Sequence, residues 1–121
     1  MAGSAVIVRA DDRVVCERCL VADRPLARMR GLLGRKALPR GEAILLRPAG
    51  SIHTFFMKFP IDVVFLDAEN RVLRIAHRVA PWRTAAKRSA AAVLELAAGE
   101  CERRGLREGD RLELAPLRSA A

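Results

Sequence analysis

Hydrophobic residues along this chain fall mostly in short strand-like runs divided by turn-forming clusters. "AVIV" (5–8) and "RVVCERCLVA" (13–22) flank Asp11-Asp12 and predict a hairpin. From residue 43 the pattern is strand after strand: 43–46, 52–57, 61–66, 71–79 and 90–96, with a last strand over 111–114. The stretches "RPAGS", "KFP", "DAEN" and "APWRTAAKR" separate them, and "DAEN" reads as a hairpin loop. Helical spacing appears twice. In "DRPLARMRGLLG", Asp23 can cap, Pro25 falls in the first turn, Leu26, Met29 and Leu33 share a face, and Gly34 can stop the helix. "AGECERRG" gives two further turns, with Gly105 at their end.

Short strands with few helices predict an α+β domain, mainly antiparallel β, with one longer and one short helix. A strongly apolar middle is expected to curl the sheet, or to close it into a partial β-barrel whose open end the longer helix covers. The expected unit is a single domain over 1–121, with its core at about 5–115 and a frayed tail at 116–121.

The stretch "SIHTFFMKFPIDVVFLD" (51–67) is the most apolar and most aromatic, yet it holds three ionisable groups. On a strand over 52–57, Ile52, Thr54 and Phe56 share one face, and His53, Phe55 and Met57 the other. Both faces are apolar, so burial on both sides is expected. Asp62, between Ile61 and Val63, must then be neutralised, paired or multiply hydrogen-bonded. One reading has it accept backbone N–H bonds from a neighbouring loop or pair with Arg35. Another brings Asp62 and His53 together across the 57–61 turn, the carboxylate orienting the imidazole for acid–base catalysis. Lys58 is expected to face solvent.

The other candidates carry equally divided readings. Arg24, Arg28 and Arg35 span the polar face of the predicted helix, while Gly31 within it suggests the close approach of another backbone. Trp82, the single tryptophan, falls in a loop and is either a ligand platform or a lid on the core. Glu95 lies between Leu94 and Leu96 and is expected to pair with an arginine. Asp110 is expected to cap amides in the Glu108–Asp110 turn. "CERC" tempts a redox or zinc reading. On a continuous strand, however, Cys16 and Cys19 point to opposite faces about 10 Å apart, beyond a disulfide's reach. Cys101, His53 and His77 lack paired ligand spacing, so no metal site is expected.

Charge adds one further possibility. The net charge is +8, almost all of it arginine. Seven basic residues face one acid between Arg24 and Arg47, and six face none between Arg71 and Arg88. Such a field can attract anions or nucleic acid. Aromatics for base stacking lie away from the arginines, however, and no zinc-finger, RNP-type or helix-turn-helix pattern is present. No nucleophile elbow, HExxH, Walker loop or dinucleotide fingerprint occurs, and tyrosine is absent. Hydrolase or kinase chemistry of the familiar kinds is therefore not expected. No apolar run reaches membrane-spanning length, and the three cysteines suit reduced thiols, so a cytoplasmic protein is expected.

The ordered motifs "RMRGLLGRKAL", "SIHTFFMKFPIDVVFLD", "APW", "VLELAAG" and "GLREGDRLEL" resemble a widespread prokaryotic family, domain of unknown function 192. The resemblance runs from about Leu20 to Leu114 and leaves Cys16 and Cys19 outside its motifs. It implies a compact, mainly β domain with small helices and carries no assigned activity. Relatives often bear export signals; "MAGSAVIVRADDRVV" does not have the form of one. The expected function is binding of an anionic small ligand or a protein partner, without a cofactor. The site would be lined by Arg28, Arg35, His53, Asp62 and Trp82. The alternatives are an enzyme using the Asp62/His53 pair and weak nucleic-acid binding through the basic surface.

Overall fold

The structure, a computed structural model, describes residues 5–22 and 37–116. The chain forms β1 (Ala5–Ala10), β2 (Arg13–Ala22), β3 (Glu42–Leu46), β4 (Ser51–His53) and β5 (Ile61–Leu66). It continues with β6 (Val72–Val79), β7 (Thr84–Ala86), β8 (Ala92–Ala97), α1 (Glu100–Arg103) and β9 (Leu112–Pro116). Seven strands make one sheet in the order β6-β5-β8-β3-β2-β1-β9, and β4 pairs with β7 in a separate two-stranded sheet. Every pairing in the large sheet is antiparallel except β2 with β3. The predicted hairpins at Asp11-Asp12 and "DAEN" are both present. Asp11 takes φ +57°, as a tight two-residue turn requires.

The apolar runs explain the layering. All six residues of β5 are buried, because a core cluster covers each face of this strand, which lies between β6 and β8. On one face Leu45, Val64, Leu94 and Leu96 pack with Val8, Cys16, Cys19 and with Cys101 of α1. On the other, Ile44, Ile61, Val63, Phe65 and Val93 form a second cluster with Met57, against which Ile52 of β4 and Ala85 of β7 pack. The small sheet is therefore a cover for that second face.

Several expectations change. The segment 52–57 is not one strand: β4 stops at His53, and Phe56 takes φ +66°, which no strand tolerates. "APWRTAAKR" contains β7, whose three residues are too few for a period to show. The sheet keeps two free edges, β6 and β9, rather than closing into a barrel. Those edges meet at one end, in the isolated bridge Arg71–Arg111 and in the bonds from the Val72 N–H to the Asp110 carbonyl and from the Leu112 N–H to the Asn70 carbonyl. The predicted longer helix, with Arg24, Arg28, Gly31 and Arg35, lies outside the described residues.

The cysteine expectation also fails, for a reason local to β2. Val6 pairs with Cys19 and Val8 with Cys16, so two steps along β1 face three along β2. This bulge turns both Glu17 and Arg18 to solvent and both Cys16 and Cys19 inward.

Candidate functional site

Two loops over the second face carry the exposed aromatics. One follows β4 (54–60) and the other joins β6 to β7 (80–83), and Thr54 fastens them together. Its hydroxyl donates to the Ala80 carbonyl at 2.6 Å and accepts from the Arg83 N–H at 2.9 Å. Its backbone adds a bond to the Arg83 carbonyl and accepts the N–H of Trp82. Thr54 is fully buried, so none of these bonds competes with water. Met57 anchors the same loop from below, in the second core cluster.

Above this fastening the side chains turn outward. Phe55, Phe56 and Trp82 are 37%, 69% and 55% exposed, the only large hydrophobic side chains exposed among the described residues. They are contiguous. His53 stacks on Phe55 with ring centroids 4.8 Å apart, Phe55 on Trp82 at 5.9 Å, and Phe56 tilts against Trp82 at 4.6 Å. The His53 Nδ1 accepts the Phe55 N–H at 3.2 Å, which orients the imidazole. Phe56 and Trp82 both hold left-handed backbone, φ +66° and +64°. That conformation costs a bulky residue about 1–2 kcal/mol. Lys58 and Arg83, both exposed, supply positive charge in the same two loops.

Asp62 lies elsewhere. It faces the α1 side of β5, where one oxygen accepts the Arg78 N–H at 2.9 Å and the other accepts those of Gly99 (3.1 Å) and Cys101 (3.0 Å). It thereby pins the bulged end of β6, where Arg78 takes φ +49°, to the N-terminus of α1. His53 belongs to the small sheet over the opposite face, and no hydrogen bond joins it to Asp62. The two expected members of an acid–base pair are thus separated by the sheet, because 54–57 turns instead of running on as a strand. Trp82 does join His53. Arg28 and Arg35 lie outside the described residues.

Glu95 has most of its expected arginine partners from the first basic run, Arg24 to Arg35, outside the described residues. It is 4% exposed on β8, with Ile44 and Val63 as its cross-strand neighbours, and no arginine reaches it among the described residues. Desolvation pushes its carboxyl up to about 7. Asp110 does cap its turn, accepting the Arg107 N–H at 2.9 Å. A shallow cleft beside β9 sets Asp11, Glu69 and Glu113 against Arg111, a balance unsuited to anions. Among the described residues no group of His, Cys, Asp and Glu could hold a metal ion. No helix among them is long and apolar enough to cross a membrane. Reading the sequence missed Phe55 and Phe56, which alternation assigned to the core. The signal that could have found them is "TFFM" itself, where adjacent aromatics cannot both face inward on one strand.

What the fold and the aromatic loops define is a mainly β, α+β domain with a cluster of exposed rings on one face. Residues 6–114 match the family DUF192, described as an uncharacterized ACR, and the chain belongs to that family. It is 36% identical over 98 residues to the UPF0127 protein PF1050 of Pyrococcus furiosus, covering 76% of this chain and 82% of that one. Two solved structures are similar. One, from Sinorhizobium meliloti, is described as a "putative transcription regulator"; its TM-score is 0.84 at 24% identity, over 94% of this chain and 96% of that one. The other, a protein of unknown function from Novosphingobium aromaticivorans, has a TM-score of 0.75 at 26% identity, over 90% and 83% of the two chains.

Proposed function

We propose that this protein is a binding domain that takes an anionic small molecule bearing a planar group onto the His53–Phe55–Phe56–Trp82 platform. The observation that carries this reading is the pair of exposed aromatics, Phe56 and Trp82, held in contact on left-handed backbone. Rings fixed in this way offer faces for stacking with little ordering cost on binding. Lys58 and Arg83 would meet the negative charge, with Arg28 and Arg35 as further proposed contributors. Asp62 has no part in this site, since three backbone amides occupy it.

The test uses the single tryptophan as its reporter. Emission from Trp82 is followed while a nucleoside monophosphate, the parent nucleoside or inorganic phosphate is added in separate titrations. The expected result is saturable quenching by the monophosphate, weaker with either half alone. Phe56→Ala should weaken it about tenfold, since stacking on one ring is worth ~1–3 kcal/mol. Unchanged emission at millimolar ligand, or equal binding by Phe56→Ala, would refute the reading. Nucleic-acid binding is a second reading, favoured by the +8 charge and by the transcription-regulator description of the Sinorhizobium meliloti neighbour. A single-stranded oligonucleotide binding more tightly than the monophosphate, with affinity falling steeply with salt, would put it first.

A further inference from the structure

Cys16 and Cys19 sit in the core on one face of β2, although three residues apart in the chain. The bulge places them opposite β1 residues two apart, a span of about 7 Å in a regular strand and less where the backbone bends. Disulfides bridge Cα atoms about 4.4–6.8 Å apart. Both side chains lie in the first core cluster, where the Cys19 thiol donates to the Leu20 carbonyl at 3.7 Å, and the influence of each on the other lowers the pKa of Cys16 and raises that of Cys19. The Cys16 thiol also donates to the Gly41 carbonyl at 3.2 Å. All three cysteines are free and buried. Cys101, within α1, belongs to the same cluster, with its thiol pushed up by burial and by the neighbouring Asp62 carboxylate.

We infer that Cys16 and Cys19 form a dithiol–disulfide couple, a thiol-modification site that is oxidised by a low-molecular-weight disulfide. Cys16 releases its proton to water and its thiolate attacks one sulfur of the small disulfide. That S–S bond breaks and one small thiolate leaves. Cys19 then gives up its proton and attacks the Cys16 sulfur of the mixed disulfide, closing the protein's S–S bond and expelling the second small thiolate. Two protein thiols are oxidised and one small disulfide is reduced to two thiols, so the electrons balance. Both sulfurs are buried, so attack requires the bulge to open. Glu17, within the bulge, is the latch: both of its carboxylate oxygens accept bonds from Arg104, at 2.5 and 2.6 Å.

The test equilibrates the folded protein, and the same protein in urea, in buffers of graded oxidised-to-reduced glutathione. Free thiols are then alkylated and the peptides mapped by mass spectrometry. The expected result is one two-electron transition joining Cys16 to Cys19 in the folded protein. Its equilibrium constant should exceed that in urea by at least about tenfold, or about 30 mV. Cys19→Ser should trap glutathione on Cys16, and Glu17→Gln should speed oxidation without moving the equilibrium. An equilibrium constant no larger folded than unfolded would overturn the inference. So would a bond that includes Cys101.

Discussion

Glu95 makes stability depend on pH in a direction opposite to that of a paired carboxylate. Its ordinary value is 4.5, and burial between Ile44 and Val63 raises it to about 7 in the folded protein. Between these values the unfolded chain releases its proton while the folded one keeps it. Folding therefore binds a proton, and stability falls as pH rises through this window and levels off above 7. The interval corresponds to about 3 kcal/mol. Glu95→Gln keeps the shape and removes the titration. The measurement is urea unfolding of both proteins at steps from about pH 4 to pH 8, because other groups titrate equally in the two and cancel in the difference. Wild-type stability minus variant stability should fall by about 3 kcal/mol across that range. A difference flat to within about 0.5 kcal/mol would refute the argument, because it would mean that the folded carboxyl ionises as readily as the unfolded one.

Two further substitutions test the structural assignments. Asp62→Asn leaves an amide N–H group facing a backbone N–H group whichever way the side chain turns. It should cost about 2–4 kcal/mol in chemical unfolding while leaving Trp82 emission in the folded state unchanged. Thr54→Val preserves shape but strands the Ala80 carbonyl and the Arg83 N–H. It should cost about 2–3 kcal/mol and, unlike Asp62→Asn, should shift Trp82 emission as the two loops loosen. Identical emission in both variants would show that Thr54 does not organise the platform.

Short apolar runs bounded by turn residues made β2, β3, β5 and β6 legible, and both hairpins followed from polar turn residues. The platform was less so. In "IHTFFM" the apolar content of a core strand is present, but burial of Thr54 and exposure of Phe55 and Phe56 invert what hydropathy implies. That inversion depends on hydrogen bonds to residues 80–83, close in space and distant in sequence. The bulge in β2 was hidden for a similar reason: its register is set by β1, and "VVCERC" read alone alternates plausibly without it. Asp62 was legible as a buried carboxylate in need of partners. Which partners it has could not be read, since Gly99 and Cys101 lie nearly forty residues further along and present only backbone amides.

The open sheet has β6 and β9 as its two edges, and each row of backbone groups is poorly suited to recruiting another chain. Along β6 the exposed positions carry Arg74, His77 and Arg78, and the bulge at Arg78 twists the end of the strand away from a straight template. The opposite row ends in Pro116, which has no N–H to offer. Like charges on two such edges would repel as they approached, and a kinked edge cannot match a second copy over its length. The exposed Arg74 and Arg78 thus disfavour the pairing of β6 with the same edge of a second copy.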